Sequence, residues 1–481
     1  MSELINLSLT DQILGLGDKS FSSKEITGAY LNEIKKKESL NCFISVFEEE
    51  SEEKALIADE NIAKNKARPL EGIPIAHKDI FCIKDKKTTC GSKMLSNFIS
   101  PYSSEVFSKL DSAGAITIGK TNMDEFAMGS SNETSFYGNV LNPINEKLSP
   151  GGSSGGSAAA VRANLCSFAT ATDTGGSIRQ PASFCGVTGI KPTYGRVSRW
   201  GMIAFCSSMD QAGPLARDAF ACSALLNAMA SYDEKDSTCS KRESIDYETG
   251  LNKDFGKLKI GILKGIENLG ISEEVLKAYE SSKKILEQLG HSFVELDFTE
   301  LSSGICSYYV IAPAECSSNL SRFDGIKYGH RSEAKNISEL YLKTRAEGFG
   351  DEVQKRILIG SYVLSAGFYD AYYRKAQKVR RMIKSKFDEF FKDVDLVFLP
   401  TTLDQAFEMN RESSDPNRMY KEDLLTIPAN LAGLPAISFP NGLKNNLPIG
   451  GQLIANYFGE DLLLNTTNKF QEVTDWHKMT P

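Results

Sequence analysis

The stretch from Leu258 to Leu296 admits few folds. Leu258-Lys259-Ile260-Gly261-Ile262-Leu263 reads as a strand, and Ser272 stands where the cap of a following helix belongs. Val275, Leu276, Tyr279, Ile285, Leu286 and Leu289 recur at helical spacing as its buried stripe, Gly290 ends it, and Phe293-Val294-Glu295-Leu296 resumes as strand. A strand, a helix and a strand in succession call for a parallel pair joined by a right-handed crossover. Elsewhere, residues 24–65 read as two helices around the strand-like Cys42–Phe47, with Leu31, Ile34, Ala55, Ile57 and Ala58 on apolar faces. Gly114–Lys120 and Val394–Pro400 read as further strands, and a long helical stretch runs from Asp351 to about Lys392. Residues 231–256 are charged and poor in large apolar groups, as in a surface connection. With 481 residues, 41% of them hydrophobic, one large α/β sheet absorbs the whole chain.

Three short segments carry chemistry. Asp173-Thr174-Gly175-Gly176-Ser177 lacks Cβ atoms at its centre, so successive backbone N–H groups are free to converge on one point, as a developing oxyanion requires. Thr174, Gly175, Gly176 and Ser177 therefore read as an oxyanion hole ending in a nucleophile. A serine hydroxyl needs an adjacent base, and a lysine serves only if burial or neighbouring cations hold it neutral. Lys78, between the apolar Ile73–Ala76 and Ile80-Phe81, fits that need. Ser153, in Gly151-Gly152-Ser153-Ser154-Gly155-Gly156-Ser157, then passes the proton between Lys78 and Ser177 and later to a leaving amine. Asp173 and Arg179 flank the nucleophile as supports.

Blander readings compete. A Gly/Ser run has the composition of a flexible linker, yet Ser157 leads into Ala158-Ala159-Ala160-Val161, so this one feeds a helix. The phosphate-loop pattern is absent. Gly152-x-Ser154-x-Gly156 satisfies the nucleophile-elbow pattern, which requires a downstream acid and then a histidine; only His291, His330 and His477 lie downstream.

The glycine–serine run, Asp-Thr-Gly-Gly-Ser-Ile-Arg-Gln-Pro-Ala from Asp173 and Gly-Ile-Lys-Pro-Thr-Tyr-Gly-Arg-Val-Ser from Gly189 together resemble the amidase signature family. The resemblance implies an α/β/α fold in one domain, a large mixed sheet with helices on both faces. A helical lead-in spans 1–65, the signature core about 66–220, and the rest of the sheet and the substrate pocket 257–481. It also implies a triad of Lys78 (base), Ser153 (relay) and Ser177 (acyl-ester nucleophile), with Ser154 as the rival to Ser153. After the lysine many members read Asp-Asn-Ile, whereas Asp79-Ile80-Phe81 stands here.

Distal segments around Tyr308–Glu315, Ser317–Gly325, Gly348–Val353, Arg356–Leu358 and Asp423–Gly433 resemble the branch of that family that draws ammonia from glutamine for tRNA-dependent amidation. Free glutamine presents a carboxylate and an ammonium beside its side-chain amide, which suits one guanidinium, one carboxylate and a polar wall. By position, the resemblance implies Arg356 for the α-carboxylate, Asp423 for the α-ammonium and Tyr308, or its neighbour Tyr309, for the wall. It further implies partner subunits B and C, the first of which takes ATP and magnesium and also holds most of the Glu-tRNA(Gln). The alternative is a free-standing hydrolase of a small aryl or aliphatic amide.

Charge agrees with such a division of labour. Lys plus Arg is 55 against Asp plus Glu 62, a net charge of −7, and no basic tract dominates. Ten cysteines without a Cys-x-x-Cys pair, and only four histidines, argue for a reducing compartment, no metal and cysteines that act as small buried hydrophobes. No apolar run is long enough to span a bilayer, and Met1–Ile5 begins no secretion signal, so a cytoplasmic or organellar-matrix location is expected.

Overall fold

Eleven strands form one mixed sheet in the computed structural model, which describes residues 3–298, 300–409 and 422–479. In chain order they are β1 (Phe43–Val46), β2 (Pro74–Lys78), β3 (Ile116–Thr121), β4 (Phe168–Asp173), β5 (Thr188–Lys191), β6 (Gln211–Ala216), β7 (Lys259–Leu263), β8 (Ser292–Leu296), β9 (Leu396–Pro400), β10 (Ala436–Lys444) and β11 (Leu447–Ala455). Across the sheet the order is β1-β3-β2-β4-β6-β5-β10-β11-β9-β7-β8. Every residue of β2, β3, β4, β5, β6 and β9 is buried. Side chains alternate between faces along a strand, so burial at every position means that both faces are covered. The fold is thus the α/β class expected from the sequence.

The strand–helix–strand unit is present: β7 and β8 run parallel, joined through a helix at Glu273–Gln288. Val275, Tyr279 and Leu286 of the predicted stripe are buried, while Leu276, Ile285 and Leu289 are partly so. Gly290 ends the helix with φ +96°, a conformation that suits glycine. Ser272 occupies the cap position, but its side chain makes no capping bond. The tightest local signal lies elsewhere. β10 and β11 are joined by Asn445-Asn446, both at positive φ, the two-residue turn whose twist matches an antiparallel pair.

Several expectations need correction. Ile57 is exposed, because the helix Glu48–Ala63 buries only the stripe of Ser51, Ala55, Ala58 and Ile62. The long helix from Asp351 is interrupted. It runs Asp351–Val363, breaks near Gly367 at φ +88°, passes through a wide turn at Tyr369–Arg374 and resumes at Lys375–Phe390. The connection at 231–256 is anchored more deeply than its charge suggests: Tyr247 is fully buried and its hydroxyl accepts from Arg196 Nε at 2.7 Å. Nine of the ten cysteines are buried and Cys306 is exposed; all are free thiols.

β9 seals the distal half. Phe398, fully buried, stacks on Tyr279 at 4.9 Å, so Phe398→Ala removes a ring and leaves a cavity. The expected loss is about 3–5 kcal/mol, read as a lower urea midpoint against wild type; an unchanged midpoint would refute this packing account.

Candidate active site

Lys78 ends β2 and is fully buried. Its Nζ touches three hydroxyls: Ser153 Oγ at 2.7 Å, Ser154 Oγ at 2.8 Å and Thr172 Oγ1 at 2.9 Å. Neighbouring parallel strands explain the meeting. β4 reads Phe-Ala-Thr-Ala-Thr-Asp, so Thr170 and Thr172 share one face, and β4 lies beside β2. Thr170 Oγ1 accepts the Lys78 N–H, and Thr172 Oγ1 accepts from Nζ. Burial pulls the ammonium down to about 7, against the opposing pull of Asp124, Asp173 and Asp210. A neutral amine has two N–H groups and one lone pair, so among three hydroxyls it donates to two and accepts from one. Ser154 Oγ donates to the Thr172 carbonyl at 3.2 Å and is left to accept from Lys78. Ser153 Oγ has Lys78 as its sole described partner, so its proton is available to the lone pair.

The two serines sit at the start of the helix Gly155–Arg162. Their glycines serve close approach: a Cβ on Gly152 would fall 2.0 Å from Asp124 Oδ2, and one on Gly156 2.2 Å from the Asn122 carbonyl. The Gly152–Ser153 peptide bond is cis.

The second glycine segment links β4 to the helix Arg179–Cys185. Asp173 and Arg179, both fully buried, bracket it with two parallel bonds of 3.0 Å. Arg179 Nη1 also donates to the Thr426 carbonyl and Gln452 Oε1, and Nη2 to Asn430 Oδ1, so all five guanidinium donors are used. Burial alone would raise the Asp173 carboxyl; Arg179, with Lys191 and Asn430, outweighs it and holds the group below its ordinary range. Between the brackets, Thr174 Oγ1 donates to Asp210 at 2.7 Å and the Gly175 carbonyl accepts from Thr426 Oγ1 at 2.6 Å. None of the N–H groups of Thr174, Gly175, Gly176 and Ser177 bonds to another described residue. Ser177 is 8% exposed, where Ser153 and Ser154 are fully buried. No hydrogen bond joins its hydroxyl to Ser153 among the described residues, a separation common before a substrate draws such groups together.

Tyr308 and Asp423 meet this loop, and Arg356 lies behind them against Tyr309. A Cβ on Gly175 would lie 2.8 Å from the Tyr308 hydroxyl, and one on Gly176 would lie 3.1 Å from Asp423 Oδ1. Tyr309 packs edge-on against Tyr308 and its hydroxyl reaches Asp423 Oδ2 at 3.5 Å, so both tyrosines border the pocket. Arg356 is buried, unlike its neighbour Lys355. Its guanidinium lies over the rings of Phe205 and Tyr309, Nε donates to Glu352 at 2.7 Å, and no described residue accepts from its Nη groups. Burial raises the Asp423 carboxyl to about 7 despite Arg356 nearby.

The sequence reading missed Thr172, Asp124 and Asp210. Thr172 was findable, since strand alternation from Thr170 aims it at the lysine. Asp210 was not: a local turn fixes it through the N–H groups of Phe205 and Cys206, but its contact with Thr174 joins segments distant in sequence. Two of the three histidines of the rival elbow reading are engaged elsewhere. His291 Nδ1 accepts the Leu258 N–H, and His330 pairs with Glu347. Among the described residues no group of three or more His, Cys, Asp or Glu is arranged to hold a metal ion, and no helix is long and apolar enough to cross a membrane.

Comparison with known proteins follows the same lines. The amidase family model matches residues 25–464. The A subunit of glutamyl-tRNA(Gln) amidotransferase from Coxiella burnetii (strain Dugway 5J108-111) is 54% identical over 468 residues, 97% of each chain. The protein of the same name from Saccharophagus degradans is 54% identical over 99% of each. The crystal structure of the A subunit of glutamyl-tRNA(Gln) amidotransferase from Thermotoga maritima superposes with a TM-score of 0.83 at 36% identity, covering 99% of this chain and 97% of its own. The peptide amidase of Stenotrophomonas maltophilia gives 0.82 at 28% identity, covering 97% and 96%.

The bracket around the second glycine loop yields a prediction. Arg179→Met strands Asp173 as a buried charge and lowers stability at pH 7 by about 3–5 kcal/mol. In wild type the depressed Asp173 stays ionised as pH falls, whereas the stranded carboxyl takes up a proton and escapes the cost. The stability difference should therefore shrink between about pH 7 and pH 5 in chemical denaturation. A difference that stays constant with pH would exclude the ion pair as its cause.

Proposed function

The chain belongs to the amidase family, and from that premise we propose that it is the glutamine-hydrolysing A subunit of glutamyl-tRNA(Gln) amidotransferase. The observation that carries the choice of substrate is a pair of buried groups: Asp423 against Gly176 of the Ser177 loop, and Arg356 over Tyr309 with Nη groups that no described residue accepts from. Together they suit the ammonium and the carboxylate of a free amino acid. Tyr308, with Tyr309 beside it, forms the wall.

In this reading Ser177 Oγ attacks the side-chain amide carbon of glutamine. Its proton passes to Ser153, and that of Ser153 to neutral Lys78. The carbonyl oxygen becomes an oxyanion and takes bonds from N–H groups of Thr174, Gly175, Gly176 and Ser177. Asp173 and Arg179 hold that loop in place. As the tetrahedral species collapses, the C–N bond breaks, Ser153 returns a proton to the leaving nitrogen, and ammonia departs. Water then cleaves the Ser177 ester, with Lys78 again the base, and glutamate is released.

Ammonia is the useful product. Partner subunits B and C complete the enzyme: the first receives the ammonia, activates the glutamate carried on tRNA(Gln) with ATP and magnesium and amidates it, and the second braces the pair. The Glu-tRNA(Gln) is held mainly by the first of these partners, and the complex works in the cytoplasm. A net charge of −7 is compatible with a protein that handles an amino acid while its partner handles most of the RNA.

The decisive experiment uses the assembled complex. In Ser177→Ala, glutamine-dependent Gln-tRNA formation should fall by at least about 10³-fold, while ammonium chloride supplied in solution should restore product. Gln-tRNA synthesis from glutamine that survives the substitution would overturn the reading. Hydrolysis of simple amides with no saturation by glutamine would move it to a free-standing amidase.

A pH profile tests the base. With the folded pKa of Lys78 near 7 rather than 10.5, the lysine is charged and idle below that value and neutral above it. The kcat/KM for glutamine hydrolysis should therefore rise as pH climbs through about 7, and Lys78→Arg, permanently charged, should abolish it. A profile flat across that region would remove Lys78 from the role.

A further inference from the structure

Two consecutive residues face opposite halves of the site. Asp124 belongs with Lys78 and Ser153: its N–H donates to the Ser153 carbonyl at 3.2 Å, and its carboxylate occupies the space beside Gly152. Glu125 turns the other way. Its side chain is buried, Oε1 accepts from the Ser92 hydroxyl, and Oε2 accepts the Gly350 N–H at 2.9 Å.

Gly350 is the cap residue of the helix Asp351–Val363 and has no side chain with which to satisfy that end. A carboxylate there meets both an orphan N–H and the positive end of the helix. The contact is close enough that a side chain at 350 would displace the carboxylate, because a Cβ on Gly350 would lie 2.6 Å from Glu125 Oε2. The next pair repeats the grip: the Phe126 ring packs against Phe349 at 5.7 Å and against Phe323 at 5.2 Å. Arg356 lies less than two turns along the same helix. Burial raises the Glu125 carboxyl to about 7, so this acid sits where its charge is disfavoured. A buried acid that only filled space would be better replaced by an apolar group.

We propose that Glu125 is a positioning residue for substrate binding: by holding the Gly350 N–H, it fixes the helix that presents Arg356 at a set distance from the loop that carries Ser153. Resting on the glutaminase reading above, this assigns Glu125 to recognition of the α-carboxylate and not to bond cleavage. The segment Asp124-Glu125 is then the covalent link that keeps the cleaving and recognising halves in register.

The test is a double-mutant cycle on glutamine hydrolysis by the assembled complex, with Glu125→Gln and Gly350→Ala made singly and together. The amide of Glu125→Gln keeps the size but loses the charge and one acceptor; Gly350→Ala keeps the carboxylate and pushes it off the N–H. Each single change should raise KM for glutamine about tenfold with kcat within about twofold, and the double variant should be no worse than either. A purely structural role would instead lower the active fraction, and with it kcat, leaving KM alone; that result, or KM effects that multiply in the double variant, would overturn the assignment. If Glu125→Gln fails to fold, the KM and kcat of Gly350→Ala decide in the same way. Failure of the wild-type complex to saturate with glutamine would sink the glutaminase reading and this inference with it, and shows before any substitution is made.

Discussion

Arg179 satisfies five acceptors at once, and the geometry of the site hangs on that. Two are the oxygens of Asp173 at the end of β4; the others are the Thr426 carbonyl, Asn430 Oδ1 and Gln452 Oε1. The acceptors come from the first half of the chain and from the last sixty residues or so, so a single planar cation joins the two halves of the sheet at the Ser177 loop. A lysine has three donors on a flexible stem and no fork, and would leave part of this set unpaired. Because Thr426 also donates to the Gly175 carbonyl, the loop is gripped from its flanks and from above. Its own N–H groups bond to no other described residue, which suits binding an oxyanion without reorganisation.

Lys78 presents the complementary problem, a charge placed where charge is unwelcome. Burial brings it to about 7, and Asp124, Asp173 and Asp210 keep it from falling further. Asp173 therefore acts in two directions, anchoring Arg179 and supporting the lysine. The three hydroxyls around Nζ are not equivalent, because Ser154 spends its proton on the Thr172 carbonyl while Ser153 does not. A chain geometry that brings two adjacent serines to one amine thus still distinguishes them.

Local signals in the sequence were reliable where they were chemically overdetermined. The strand–helix–strand of Leu258–Leu296 is there because an apolar stripe and a glycine stop agree. The Lys78–Ser153 contact was foreseeable from segment chemistry, although no local pattern states which of Ser153 and Ser154 is free to give up its proton. What stayed illegible was set by distance along the chain. Asp210 reaching Thr174, Glu125 reaching Gly350 and Tyr247 burying itself under Arg196 each join segments whose compositions give no hint of the other. The interruption of the Asp351–Lys392 stretch was visible as Gly367 but was outweighed by helical residues on either side.

On the proposed glutaminase reading, the arrangement also bears on how one fold separates glutamine from other amides. The Lys78–Ser153 pair and the Ser177 loop recognise nothing beyond an amide carbonyl, so discrimination has to come from groups that are costly when left unmatched. Asp423 is such a group: burial raises its carboxyl to about 7, and an ammonium beside it would favour the charged form again. Arg356 is another, held at Nε by Glu352 while no described residue accepts from its Nη groups. An amide without a carboxylate leaves the Arg356 charge unmatched, and one without an ammonium forgoes the ion pair that would favour a charged Asp423, so each binds less well than glutamine. On that reading selectivity is a property of the distal half of the chain, which Arg179 and the Asp124-Glu125 segment tie to the glycine loops.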